Sequence, residues 1–210
     1  MEGYAMSAEP TKFRLVTRSD FDGLACAVLL RHLGLIDDIL FVHPKDMQDG
    51  KIAVSDRDIS TNLPYVPGVH LAFDHHLSET IRNKGERANH IIRPAAPSAA
   101  RVVYDYYGGA RRVPLAWIGL MAAVDKGELA HFTREEILAP QGGDLLNFLM
   151  DARTGLGRFH DFRISNYNLM MALIDGCKNH TISDIMAMPD VVERTALYFE
   201  HSQKCKDQIR

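Results

Sequence analysis

Between Phe13 and Arg93 this chain alternates short apolar runs with helical stretches, and that rhythm restricts its fold more than any other feature. Residues 13–17 (FRLVT) read as a strand, and residues 23–33 (GLACAVLLRHL) as a buried helix stopped by Gly34. Further strands are expected over 39–43, 58–63 (closed by Pro64), 69–73 and 90–93. Strands separated by helices at this spacing form a parallel sheet with helices on its faces, an α/β fold. Beyond Pro97 the strand signals stop. Helices are expected over 98–107, 115–124, 165–177, 181–188 and 189–208, with Gln141-Gly142-Gly143 as a hinge-like loop. Met170, Met171, Met186 and Met188 fall at helix-face spacings and read as core.

Composition narrows the function classes. At 210 residues the chain can bury one sizeable core or two small ones. Hydrophobic residues make up 46% and charged residues 24%, with a net charge of -3, so no basic surface advertises bulk nucleic-acid binding. No apolar run reaches the roughly 18 residues of a membrane span. The first residues, MEGYAMSAEP, lack the basic and apolar blocks of a signal peptide. Cys26, Cys177 and Cys205 are scattered without metal-ligand spacing, which fits incidental thiols in a reducing, cytoplasmic setting.

Polar residues gather where the strands end. The first strand runs into Arg18-Ser-Asp20-Phe-Asp22-Gly23, the third into Asn62, and the fourth into Asp74-His75-His76. The expected helix over 115–124 delivers Asp125. The carboxyl ends of parallel strands share one edge, the edge where open α/β sheets bind ligands. Carboxylates about 4 Å apart repel by about 1 kcal/mol in water and about 4 kcal/mol at an effective dielectric near 20. Such a rim calls for protons or divalent cations, and carboxylates mixed with imidazoles suit Mn²⁺, Mg²⁺ or Zn²⁺. Read singly, Asp20 and Asp22 also fit a helix cap and turn, and His75-His76 a polar strand end. Ser98 opens a helix beside Arg101, which fits either a plain cap or a phosphate contact. The segment Arg153 to Arg163, with Arg158 and His160, fits either a phosphate-binding loop or a solvated loop paired with Asp151 and Asp161. His43 ends the second strand and reads as a structural histidine.

The residues Ser19-Asp20-Phe21-Asp22-Gly23, Asp74-His75-His76 and Asp125 resemble three motifs of the DHH phosphoesterases. The phrases DISTNLPYVPG, FDHHLSE and PSAARVVYDYYG are most similar to the exopolyphosphatase-related branch. The resemblance implies a Rossmann-like parallel sheet over 1–130. A helical extension over 131–210 would then lead to a C-terminal substrate-binding domain outside this chain. It implies a hydrolase in which a metal-activated water attacks a phosphodiester or phosphoanhydride. The substrate would be a small anionic one: a short oligonucleotide, a cyclic dinucleotide or polyphosphate. Homo-oligomers are compatible with it.

By the same resemblance Asp20, Asp22, Asp74, His75 and Asp125 ligate or support metal, Mn²⁺ before Mg²⁺, and His76 faces the phosphate as a proton donor. Two positions depart from the pattern. Arg18 stands where a histidine is usual, and Asn62, a candidate metal ligand through its carbonyl oxygen but without the charge, stands where a bridging aspartate is usual. Guanidinium has no lone pair to give. The expectation is therefore one ion instead of two, held by Asp22, His75 and Asp125, with Arg18 a fixed cation beside it. A second reading is a degenerate domain that binds nucleotide or phosphate, or serves in assembly, without turnover.

Overall fold

The computed structural model describes residues 12–151, 160–176 and 180–209. Five strands, β1 (Phe13–Arg18), β2 (Ile36–Val42), β3 (Asp58–Thr61), β4 (Leu71–Asp74) and β5 (His90–Ile92), form one sheet in the order β2-β1-β3-β4-β5. Every pairing is parallel. Successive strand residues face opposite sides, so a parallel sheet covered on both faces needs apolar residues in both registers. In β1, Leu15 enters the larger core and Val16 the smaller one behind the sheet, with Val42, Met47, Leu63, Tyr65, Val69 and Ala72. Arg14 bonds Asp58 through Nε at 2.6 Å, pinning the start of β3 to β1.

Helix α1 (Phe21–His32) is buried from Phe21 to Leu30, which explains an apolar sequence with no polar face. It lies between the sheet and a helical layer. Its neighbours are α4 (Ala99–Tyr106), α6 (Ile118–Glu128), α8 (Gly142–Met150) and α9 (Asn166–Gly176). Shorter helices fill the connections: α2 (Pro44–Gln48), α3 (Leu77–Arg82), α5 (Gly109–Arg112), α7 (Arg134–Leu138) and α10 (Ile182–Met186), with α11 (Pro189–Ile209) last. Residues from α8, α9, α10 and α11, including Leu146, Leu169, Ile185 and Val191, join the same core as α1. Among the described residues no helix is long and apolar enough to cross a membrane.

Several expected boundaries move. The short helices α2, α3, α5 and α7 gave no sequence signal of their own, being four to six residues long. Strand β2 begins at Ile36, three residues before the expected start, because Asp37 and Asp38 continue the edge strand with exposed side chains. The expected loop at 141–143 is a helix start: Gln141 caps α8 and both glycines lie within it. A Cβ on Gly143 would meet the Ala123 Cβ at 2.6 Å, so that glycine lets α8 cross tightly over α6. The helix expected over 115–124 is a 3₁₀ turn, Leu115–Trp117, followed by α6, which runs on to Glu128. Asp125 therefore sits inside a helix, and Glu128 comes one turn later on the same side.

Candidate metal and phosphate site

The carboxyl ends of β1, β3 and β4 lie side by side, with Thr17 opposite Thr61 and Thr61 opposite Phe73. Strand order reverses between β1 and β3, and crevices at such reversals hold ligands in open α/β sheets. At that reversal the chain turns into α1 through Asp20. Its side chain accepts from the Gly23 amide at 2.9 Å as the N-cap. A Cβ on Gly23 would lie 1.9 Å from the Arg18 carbonyl, so only glycine lets α1 start so close to β1. That close start buries Asp22 completely.

Asp22 accepts from the Ala99 amide at 2.9 Å and the Ala100 amide at 2.7 Å, the first amides of α4. Of the two readings for the start of α4, the cap is present, and the Ala99 and Ala100 amides are taken by the protein's own carboxylate. Ser98 and Arg101 are engaged as well. Ser98 donates to Asp125 at 2.6 Å while capping the Arg101 amide, and the Arg101 guanidinium pairs with Asp125. Asp125 is thus drawn to Ser98 and Arg101 instead of joining Asp22 and His75, because a neighbouring cation and a hydroxyl satisfy it locally. The third member beside Asp22 and His75 is Glu128.

In that trio one oxygen or nitrogen from each of Asp22, His75 and Glu128 lies within 4.8 Å of the others. His75 Nε2 is 3.8 Å from Asp22 Oδ2 and 3.8 Å from Glu128 Oε2, too far for hydrogen bonds. It is buried and without a hydrogen-bond partner. Burial, and next the charge of Glu128, hold the Asp22 carboxyl well above the usual carboxylate range. Burial, and next Asp20, raise Glu128 to about 7. Burial lowers His75, so its imidazole is neutral and keeps a lone pair. An ion with bonds of about 2.1 Å spaces its ligands roughly 3–4 Å apart, so the donor set fits a divalent cation.

Asp74 does a different job. Its Oδ1 accepts from the His75 amide at 2.7 Å, the His76 amide at 3.2 Å and His76 Nδ1 at 2.7 Å. A carboxylate only accepts, so Nδ1 of His76 carries the hydrogen and Nε2 is left for a ligand. The hydrogen bond that His76 donates to Asp74 raises His76 above the ordinary histidine value, against the effect of burial. His76 also lines a cavity of about 170 Å³ with Arg18, Asn62, Leu63, Pro64 and Ser78.

Asn62 follows β3 and is 2% exposed, with a φ of +54° that asparagine tolerates better than most residues. Its Nδ2 donates to Asp20 Oδ1 at 3.2 Å and Oδ2 at 3.3 Å, while its Oδ1 is buried without a partner. Arg18 Nε lies 2.9 Å from Asp20 Oδ2. His43 caps α2, accepting from the Lys45 amide at 3.1 Å. Of the expected loop contacts, Arg158 lies outside the described residues, as does Cys177. His160 is exposed, and its neighbour Arg163 bonds Asp190 and Glu193 of α11 instead of the cluster.

No family model matches the chain, and no curated protein does. Among solved structures it is similar to the pGpG-specific phosphodiesterase PggH from Vibrio cholerae, with 61% sequence identity and a TM-score of 0.86. The match covers 94% of this chain and 63% of that one, so the chain spans less than two thirds of that relative's length.

Proposed function

We propose that this chain carries the hydrolytic site of a metal-dependent phosphodiesterase acting on short linear dinucleotides such as pGpG. The observation that carries this is the 61% identity to a pGpG-specific phosphodiesterase over 94% of the chain. The unpartnered His75 Nε2 between two buried carboxylates supports the metal dependence. The DHH resemblance supports the same reaction class. Asp22, His75 and Glu128 would hold one divalent ion, with Mn²⁺ the first to test. When bound, such an ion supplies charge neutralisation at the phosphoryl group and a water of lowered pKa.

The chain's own residues set up the rest. Asp74 fixes the ring of His76 and keeps Nδ1 protonated, so Nε2 can hold a proton for the leaving oxygen as the P–O bond breaks. The overall change adds one water across the phosphodiester, and pGpG yields two mononucleotides. Neutral His75 remains a nitrogen donor because burial keeps its proton off.

The test is hydrolysis of pGpG by the purified protein with Mn²⁺, followed by chromatography, beside cyclic di-GMP and polyphosphate. Release of mononucleotide from pGpG, abolished by His75→Ala, supports the proposal. Turnover of polyphosphate alone would point to the exopolyphosphatase-related branch. Tight binding of pGpG without turnover would point to a binding module.

A further inference from the structure

We propose that Arg18 grips a substrate phosphate in the crevice between β1 and β3, and that Asp20 and Asn62 position it without ligating metal. The nature of the ligand rests on the phosphodiesterase reading above; the assignment of Asp20 does not. A carboxylate offers about four lone-pair positions. Those of Asp20 face the Gly23 amide at 2.9 Å, Asn62 Nδ2 at 3.2 and 3.3 Å, and Arg18 Nε at 2.9 Å. Its close contacts are two hydrogen-bond donors, the Gly23 amide and Asn62 Nδ2, and one cation, Arg18. Asp20 accordingly belongs to neither group of side chains placed to share an ion.

The arrangement leaves Arg18 half free. It carries five N–H groups, and its closest approach to Asp20 is through Nε. Among the described residues its terminal nitrogens meet no other acceptor, and its side chain is 40% exposed. That open edge borders the cavity of about 170 Å³ that Asn62, His76 and Ser78 also line. Guanidinium stays charged at any working pH and matches two phosphate oxygens at once. Asn62 explains how Arg18 is kept there. It is 2% exposed and its amide bridges both oxygens of Asp20, which holds that carboxylate beside Arg18. An aspartate at that position would repel Asp20. The amide holds it, and the still unpartnered Oδ1 leaves one acceptor for an N–H or O–H of the ligand.

The test uses the full chain with Asp20→Asn, Arg18→Ala and Arg18→Lys, read by Mn²⁺ titration and by pGpG kinetics and binding. Asp20→Asn keeps an oxygen for the Gly23 amide and loses the charge that holds Arg18. It should bind Mn²⁺ as the wild type does. A lost charged hydrogen bond should raise KM for pGpG by about tenfold in Asp20→Asn and about a hundredfold in Arg18→Ala, with a smaller change in kcat. Arg18→Lys, with the charge but no fork, should recover only part of this. A fall of tenfold or more in Mn²⁺ affinity in Asp20→Asn would make Asp20 a ligand and overturn the proposal. So would an unchanged pGpG affinity in Arg18→Ala. If the wild type binds pGpG without cleaving it, hydrolysis fails while the binding comparison still decides Arg18. If it does not bind pGpG at all, both fail.

Discussion

In the proposed site His75 Nε2 is the atom that faces the metal: it is buried, without a hydrogen-bond partner, and has carboxylates on two sides at 3.8 Å. Beside it His76 carries the opposite bias, its proton held by Asp74. On the proposed reading the adjacent imidazoles divide the work, one as a nitrogen donor to metal and one as a proton carrier. Replacing His76 with alanine should lower kcat by roughly 10²-fold or more, the usual contribution of a positioned acid. In the proposed mechanism the protonated form of His76 is the active one, and its hydrogen bond to Asp74 raises its pKa. The alkaline limb of the pH–rate profile should therefore lie above the ordinary histidine value of about 6.5. In Asp74→Asn that limb should move to lower pH, because the largest influence raising His76 is lost while burial still lowers it. A limb that stays in place would show that another group donates the proton.

At the scale of elements, the site depends on how closely α1 starts behind β1 and how α6 is held. Gly23 sets the first distance. Gly23→Ala would place a methyl group 1.9 Å from a backbone carbonyl, which no side-chain rotation relieves. Overpacking of this kind costs about 3 kcal/mol, and α1 must back away with Asp20 and Asp22 on it. A denaturation midpoint equal to that of the wild type would contradict this. Helix α6 is held by Gly143 against Ala123 and by Lys126, which bonds Glu136 at 2.7 Å and Asp144 at 2.8 Å. That packing fixes where Glu128 ends up. The signal for Glu128 was present in DKGE: it lies three residues after Asp125, on the same side of any helix that continues. Gly127 made an earlier stop more plausible than a helix running to Glu128. The α6–α8 crossing carries the helix past it.

For the molecule as a whole, the site stores like charge inside a folded core. Glu128, raised to about 7, favours its protonated form in the native state. An acid with a raised folded pKa leaves stability highest below its unfolded value. The loss begins as pH rises past about 4.5 and is complete above about 7. The metal-free protein should therefore melt at a higher temperature near pH 5 than near pH 8. Glu128→Gln should flatten that difference. Mn²⁺ at about a hundred times its Kd should add about 2.7 kcal/mol at pH 8 through preferential binding to the native state. In Glu128→Gln the Mn²⁺ effect should shrink, since a lost ligand weakens binding by about tenfold or more. Thermal melts of the wild type and Glu128→Gln at the two pH values, with and without Mn²⁺, check all four statements.

Hydrophobic periodicity and strand-end chemistry alone determined the sheet, the burial of α1, and the gathering of Asp20, Asp22, Asn62 and the Asp74-His75-His76 run on one edge. Those features are local: the spacing of apolar residues sets the element, and a parallel sheet aligns its carboxyl ends. The partners chosen within that edge depended on tertiary structure. The α4 amides go to Asp22, and Asp125 goes to Arg101. Glu128 stands beside His75, and Asp20 bonds the Gly23 amide and Asn62 and pairs with Arg18. Carboxylates are interchangeable in sequence. Distances of a few ångströms, fixed by how helices cross, decide which one faces a cation, which an amide and which a guanidinium.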